Sequence, residues 1–324
     1  MKKLFILAAA IVAFASCSKE PETIVNDGSI KFATAQTRAA ITTIDNLGDF
    51  TVYGYTKYAK SLNIFDAVTV SDADADNVWE TQGITKYWAQ DSVYNFFAVY
   101  APTNANDKIT NKSVNVADNE MTINFTNEKG EVDLVTAASA NVNSLFNVNV
   151  NTTPLAFKHA LARVAFQFQW ACNADDMTIE VSDVKLLGSN KTGVLTVAAN
   201  GDQIWTASEP VVIEYTEPTT LSKSAPLLPT INATTGAGYQ YIIPTSGLAP
   251  QIAFVAIVKD AQGQIVKTFD YSAGTALPTQ TYSAGSSYHF TMNINPNFSA
   301  IEFTVTVEEW GDVDGGTIDF GNDK

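Results

Sequence analysis

The chain has 324 residues, of which 19 are basic and 34 are acidic, and its net charge is −15. This charge excludes nucleic acid as a partner, because binding to phosphates requires a basic surface. Only two cysteines are present. Stability must therefore come from buried apolar area rather than from a framework of disulfides.

The first 16 residues have the layout of a secretory signal. Two lysines precede an apolar run from Leu4 to Phe14, which is shorter than the roughly 20 residues that span a bilayer. The run stops before Cys17, in a context that resembles the bacterial lipobox, although Phe14 stands where that motif prefers Leu. We expect residues 1–16 to be a lipoprotein signal peptide and Cys17 to carry lipid. The alternative is an ordinary secretory signal with an incidental cysteine.

Period-2 alternation of β-branched and aromatic residues recurs along the chain between clusters of Gly, Asn, Asp and Pro, which is typical of an all-β sandwich protein. Helical patterns are scarce. The predicted strands of the first half are Ser29 to Ala35, Ala40 to Ile44, Phe50 to Tyr58, Thr85 to Ala89, Val93 to Tyr100, Met121 to Phe125, Val132 to Ala137 and Leu155 to Trp170.

The second half repeats this pattern, so each half carries the seven or so strands that one β-sandwich needs. We expect an N-terminal sandwich over residues 39–174 and a C-terminal one over residues 175–324, with an alternative boundary near Asn151. The predicted strands of the second half are Thr178 to Leu187, Gly193 to Val197, Val211 to Tyr215, Tyr239 to Pro244, Ile252 to Val258, Ile265 to Tyr271, Ser287 to Ile294 and Ile301 to Trp310.

Arg38 is a candidate processing site. It lies between two predicted strands, among small and polar residues, where an extended loop is accessible to a trypsin-like protease. The alternative is a loop arginine without a special role. Cleavage after Arg38 would make Ala39 the first residue and would remove residues 17–38, a lipidated propeptide that contains the first predicted strand.

The sequence offers few candidate catalytic residues. The two histidines, His159 and His289, lie in apolar strand patterns, where hydrogen-bonded structural roles are the usual ones. No Gly-x-Ser-x-Gly motif and no zinc-ligand spacing is present. The sequence therefore predicts no enzyme, no cofactor and no metal site, and a lipoprotein hydrolase is kept only as a minor alternative.

Two further segments have alternative readings. The acidic run Asp72 to Asp76 offers alternate carboxylates to a calcium ion, but it lacks the Gly and Glu of an EF-hand loop, so we expect a solvated loop. Aromatic residues cluster between Trp79 and Tyr94. If they faced solvent they could bind a glycan, although aromatic residues in strands are ordinarily core.

An ordered set of motifs runs through nearly the whole chain. They are Phe50-Thr51-Val52-Tyr53-Gly54-Tyr55, Tyr87-Trp88, Tyr94-Asn95-Phe96-Phe97-Ala98-Val99-Tyr100-Ala101-Pro102, Phe157-Lys158-His159-Ala160-Leu161-Ala162-Arg163-Val164, Tyr288-His289-Phe290-Thr291-Met292-Asn293-Ile294 and Ile301-Glu302-Phe303-Thr304-Val305-Thr306-Val307-Glu308-Glu309-Trp310. Each motif is weak alone, and their order is specific. In order and spacing the set resembles the fimbrillin family, the type V pilins, in its fimbrillin-like lipoprotein branch.

The resemblance implies a structural subunit of a cell-surface fimbria, built from two transthyretin-like β-sandwich domains in tandem. Such a subunit is exported as a lipoprotein to the outer membrane and is cut by an Arg-specific protease, which here would act at Arg38. The cut releases the first strand, and a strand from a neighbouring fimbrial subunit fills the groove by β-augmentation. A role in adhesion is implied as well.

The donor strand is expected near the C-terminus. Ile301, Phe303, Val305 and Val307 share one face of a strand by period 2, and Ile318 with Phe320 offers a shorter version. Which of the two segments is donated stays open. The alternative function is a surface lipoprotein that binds glycans and does not polymerise.

Overall fold

The structure is a computed structural model, and every element assigned within its described ranges is a β-strand. This confirms the all-β class that the alternation predicts. Among the described residues, no helix is both long and apolar enough to span a membrane. The described ranges are residues 28–34, 47–57, 62–100, 107–144, 152–171, 176–216, 220–232, 238–244, 250–277, 282–297 and 299–309.

Eleven strands are assigned between residues 28 and 171 of the described chain. They are β1 (Phe32–Thr34), β2 (Phe50–Thr56), β3 (Asn63–Ser71), β4 (Glu80–Thr81), β5 (Val93–Tyr100), β6 (Ile109–Asn115), β7 (Glu120–Thr126), β8 (Val135–Asn143), β9 (Thr153–Leu155), β10 (Lys158–His159) and β11 (Ala162–Trp170).

Eleven more are assigned among the described residues that follow. They are β12 (Thr178–Ala198), β13 (Gln203–Thr216), β14 (Thr220–Leu221), β15 (Leu227–Pro229), β16 (Ile231–Asn232), β17 (Gln240–Ile242), β18 (Gln251–Lys259), β19 (Ile265–Asp270), β20 (Thr275–Ala276), β21 (Ser286–Ile294) and β22 (Glu302–Glu309).

The N-terminal sheet has the strand order β10-β8-β5-β2-β3-β4. Its central strands β2 and β5 are buried on both faces, so their sequences are nearly continuous apolar runs rather than alternating ones. One face carries Val52, Phe96 and Ala98, and the core that it forms is called the groove core here because it lines the groove that holds residues 28–34. The other face carries Tyr53 and Phe97 and forms the central core.

The long sheet is organised around β12, a strand of 21 residues. Its first half pairs with β18 and its second half with β7, while β13 follows it along most of its length. The side chains of Ile179 and Leu186 enter the C-terminal core, and those of Leu195 and Val197 enter the central core. A single strand thus contributes to two cores.

The C-terminal sheet has the order β15-β11-β21-β22, with β17 also paired to β11. Strands β11 and β21 run parallel over eight residue pairs, and β22 adds to β21 antiparallel. The alternating side chains Val164, Phe166 and Phe168 are fully buried and pack against the first half of β12 in the C-terminal core. The period-2 alternation thus places one face of β11 in this core.

The loop predicted between residues 187 and 193 is wrong, because β12 continues through it. Its pairing with β13 shifts between Leu186 and Ser189, and Gly188 has a φ of 74°. Positive φ at glycine accommodates an extra residue in one strand, which is a β-bulge. The polar residues that indicate a turn here therefore mark a bulge instead.

Other differences have similarly local causes. The segment predicted as a strand at Thr85 to Ala89 forms only an isolated bridge between Tyr87 and Ser29. Strand β3 was missed because it is irregular, with Ala67 at a φ of 54° and a largely exposed surface. Strand β6 was missed because it is polar and, among the described strands, pairs with β7 alone.

The division into domains at residue 174 stays a prediction. Four pairings join segments on either side of it, since β11 pairs with β15, β17 and β21 and β7 pairs with β12. Both strands that precede the division thus share sheets with strands that follow it.

Gly54 tests the packing of the groove core. A Cβ atom at this position would lie 2.7 Å from Cδ1 of Phe96 and 2.9 Å from Cδ2 of Phe65. Because both rings are fully buried, we expect Gly54→Ala to lower the free energy of unfolding by about 1–3 kcal/mol. Chemical denaturation measures the change.

Gly48→Ala is the matched control. Its Cβ would meet Tyr100 at 3.5 Å, an ordinary van der Waals contact, so we expect a stability close to that of the unmodified protein. Equal denaturation midpoints for the two variants would contradict the tight packing described at Gly54.

Candidate functional site

The segment of residues 28–34 lies in a groove of the N-terminal half. Its backbone hydrogen-bonds to the stretch from Trp79 to Trp88 on one side and to Thr153 on the other. The amides of Ile30 and Phe32 donate to the carbonyls of Lys86 and Trp79 at 2.7 and 3.0 Å, and the amide of Thr153 donates to the carbonyl of Lys31 at 2.7 Å. The segment is thus hydrogen-bonded on both sides to other segments of the same chain, as an inner strand of a sheet is.

Two side chains of this segment point into the groove core. Ile30 is 2% exposed and Phe32 is 0% exposed. The ring of Phe32 makes edge contacts with those of Phe65 and Phe96, with centroids 5.7 and 5.4 Å apart. Full burial of one such side chain contributes about 1.5–3 kcal/mol, so the segment completes the core rather than covering it.

The residue between these two points to the rim of the groove. The ammonium of Lys31 lies 2.5 Å from the carboxylate of Glu80, and the two side chains are 22% and 56% exposed. The sequence pattern predicted the strand at residues 29–35. It did not find Glu80, Trp79 or Lys86 as its partners, since nothing in the local pattern links segments fifty residues apart.

Several predicted site residues lie outside the described residues. These are the lipidation site Cys17, the processing pair Arg38 and Ala39, and the donor candidates Ile318 and Phe320. Their assignments stay predictions. Strand β1 ends at Thr34, so Arg38 follows the groove segment closely along the chain.

The other donor candidates lie in or next to β22, an edge strand of the C-terminal sheet that pairs with β21 of its own chain. Ile301 is 5% exposed, and Phe303 and Val305 are half-buried against the C-terminal core. Val307 differs, because it is 51% exposed. The shared face that the alternation predicts is thus buried at its first position, half-buried at the next two and exposed at the fourth.

The aromatic cluster that suggested a glycan site is mostly core. Trp79 and Tyr94 are 1% and 0% exposed. Trp88 is half-buried and packs edge-on against Tyr94, with ring centroids 5.0 Å apart. Tyr87 alone of these four residues is exposed, at 60%. The solvent-facing aromatic platform that glycan binding requires is therefore not formed by this group.

The acidic loop brings three carboxylates together. Oxygens of Asp72, Asp74 and Asp76 lie within 4.8 Å of one another. Asp72 already accepts hydrogen bonds from the backbone amides of Asp76 and Asn77 at 3.1 and 3.0 Å. Burial, with repulsion from the other two carboxylates, raises the pKa of Asp76. The acidic loop is thus held by hydrogen bonds between its own carboxylate and its own backbone amides.

Both histidines are buried, and each is hydrogen-bonded within the fold. Nδ1 of His159 lies 2.8 Å from a carboxylate oxygen of Asp133. Nε2 of His289 lies 2.9 Å from Oγ of Ser287, its neighbour on the same face of β21. The carboxylate of Asp133 contacts one histidine and the hydroxyl of Ser287 contacts the other, so these side chains do not form a Ser-His-Asp arrangement. This fits the structural roles expected for both histidines from the sequence.

Phe32 tests the groove. Phe32→Ala removes a fully buried ring from the groove core, so we expect it to lower the free energy of unfolding of the precursor by about 3–5 kcal/mol. Lys31→Ala is the control in the same segment, and its partly exposed ion pair predicts a loss of at most about 1 kcal/mol. Similar thermal denaturation midpoints for both variants would contradict the burial described.

His289 tests the polar face of the C-terminal sheet. Burial lowers its pKa from the ordinary 6.5, so the unfolded chain takes up the proton first as the pH falls. The free energy of unfolding should therefore not depend on His289 well above pH 6.5, and it should decrease as the pH falls below about 6.5.

His289→Gln removes the titrating group, and the stability of this variant should decrease less between pH 7.5 and pH 5. Urea denaturation at the two pH values measures the difference. Identical pH dependence of the variant and the unmodified protein would contradict this.

Comparison with solved structures identifies the fold. A fimbrial protein from Bacteroides vulgatus ATCC 8482 superimposes with a TM-score of 0.63 at 17% identity, covering 87% of this chain and 99% of that protein. The tip fimbrial protein Mfa3 of Porphyromonas gingivalis matches with a TM-score of 0.43 at 10% identity, over 87% and 99% of the two chains. The fimbrial anchor protein Mfa2 of the same organism matches with a TM-score of 0.40 at 13% identity, over 87% and 97%.

The sequence itself gives the stronger result. No curated protein matches the chain, but the model of the fimbrillin-like family matches residues 37–310, which is most of its length. Members of this family are structural and adhesion proteins rather than enzymes. The chain belongs to the fimbrillin-like family and is a fimbrial or adhesin subunit.

Proposed function

We propose that the chain is a pilin, a structural fimbrial subunit with a role in adhesion that assembles with other subunits by strand exchange. It is exported with its signal peptide, receives lipid on Cys17 and reaches the outer surface of the outer membrane. An Arg-specific protease cuts it between Arg38 and Ala39. The cell surface and the fimbrium are then its successive locations.

The observation that carries this proposal is the position of β1. The segment of residues 28–34, which contains β1, lies just before Arg38 in the chain and fills the groove core with Ile30 and Phe32. Cleavage after Arg38 would detach it from the folded domain. Its loss would uncover Phe65 and Phe96 and would leave backbone groups of Trp79, Lys86 and Thr153 without their partners. Such an edge is a template for another strand.

The arginine content supports cleavage at a single place. The chain has two arginines, Arg38 and Arg163. Arg163 lies in β11, where it is paired to both β17 and β21, and its guanidinium donates to Oγ of Ser287 and lies over the ring of Tyr239. A protease needs a locally extended and accessible chain, so Arg163 within its sheet is a poor substrate, which leaves Arg38 as the proposed site.

The donor is one of two C-terminal segments. The first is β22 with Ile301, Phe303, Val305 and Val307, which would have to leave β21 of its own chain. The second is the shorter Ile318 and Phe320. In both segments, alternate apolar side chains would enter the groove core, while main-chain hydrogen bonds would add a strand between the stretch from Trp79 to Trp88 and β9.

Incubation of the purified precursor with an Arg-specific protease tests the proposal. We expect a ladder of SDS-resistant or high-mass polymers, with Ala39 as the first residue of the processed chain by N-terminal sequencing. Arg38→Lys keeps the charge but is not a substrate for such a protease, so it should remain monomeric. Assembly by this variant would overturn the proposal.

Arg163→Lys is the matched control. It removes the other arginine and keeps its charge, so polymers and the Ala39 end should form as in the unmodified protein. Loss of processing in this variant would show that cleavage depends on Arg163 and would contradict the assignment to Arg38.

A further inference from the structure

The groove has a charged rim as well as an apolar floor. Within residues 30–32, Ile30 and Phe32 enter the core, while Lys31 points to the rim and pairs with Glu80 at 2.5 Å. Glu80 is 56% exposed on its side chain and lies in the short strand β4, directly after Trp79, whose backbone pairs with Phe32. Any strand that replaces β1 brings its own rim residue to this carboxylate.

The chain repeats the same three-residue pattern twice near its C-terminus, with one difference. Ile30-Lys31-Phe32 occupies the groove, and the donor candidates contain Ile301-Glu302-Phe303 and Ile318-Asp319-Phe320. The apolar residues match in type and spacing. The middle residue is basic in the strand that the groove holds and acidic in both donor candidates.

The direction in which a donor enters does not alter this comparison. Because side chains alternate along a strand, the residue between two groove-facing side chains points to the rim whether the strand runs parallel or antiparallel to β1. An acidic middle residue would therefore meet Glu80 in either orientation. Opposite charges across strands are stabilising, and like charges directly opposite each other are destabilising.

We propose that Glu80 is a specificity-determining residue of the groove, which selects a donor strand with a lysine or arginine between its two apolar side chains. This inference rests on the strand exchange proposed above. Both C-terminal segments of the chain carry the disfavoured charge, so the fitting partner is a different subunit rather than a second copy. The groove therefore favours alternating or heteromeric assembly over a homopolymer.

Peptide binding to the protease-processed protein tests this selection. A labelled peptide of residues 28–34 reports on the groove, and unlabelled competitors are the same peptide, its Lys31→Asp version, a peptide of residues 316–324 and its Asp319→Lys version. We expect each lysine peptide to compete about tenfold better than its aspartate counterpart at low salt. The difference should shrink towards none at about 1 M salt, where charges are screened.

Variants of the rim assign the effect to one residue. Glu80→Lys should reverse the order of the peptides, and Glu80→Gln should abolish the preference without introducing a new charge. Glu214→Lys is the matched control, since Glu214 is an exposed acid on β13 whose side chain is 69% exposed, and it should keep the original order. Circular dichroism checks that each variant is folded.

The outcomes separate this inference from the proposed function. Equal competition by lysine and aspartate peptides, or an unchanged preference in Glu80→Lys, overturns the selection by Glu80 while leaving strand exchange in place. Failure of all peptides to enter the processed protein overturns both, because no groove is then available to a donor.

Discussion

The structure depends on β12, one strand that belongs to two cores. Its first half supplies Ile179 and Leu186 to the C-terminal core, and its second half supplies Leu195 and Val197 to the central core. The bulge at Gly188 lets the ladder with β13 continue across the change. Because both halves share one backbone, the sheets on either side are fixed relative to each other by hydrogen bonds rather than by a linker.

This arrangement explains how a subunit could lose its first strand and remain folded. The N-terminal sheet is buried on both faces, against the central core through Tyr53 and Phe97 and against the groove core through Val52 and Phe96. Strand β1 belongs to the groove core alone. Its departure would open one face, while the other stays packed against β7 and β12.

The groove also combines two kinds of recognition that act on different scales. Burial of Ile30 and Phe32 contributes several kilocalories per mole but is satisfied by many apolar strands. The contact between Lys31 and Glu80 is partly exposed, and such pairs contribute roughly 0.2–1 kcal/mol. In the proposed strand exchange, the apolar floor would therefore set the strength of binding, and the rim charge would adjust which of several similar strands binds best.

The sequence by itself determined many of the strands and their buried faces, but not the irregular strand β3 or the polar strand β6. Strand β5 was predicted with its observed bounds and β21 to within one residue, because β-branched and aromatic runs between turn residues specify a strand locally. The ordered motifs were also readable, since each is a local pattern, and they led to the family. The leader and the processing site at Arg38 stay predictions. The tertiary structure decided which segments pair. The parallel pairing of β11 with β21, the length of β12 and the contact of Lys31 with Glu80 join residues far apart in the chain. A period-2 pattern states which side of a strand is buried, but the neighbouring strand is chosen by packing of the whole core, which no local pattern encodes.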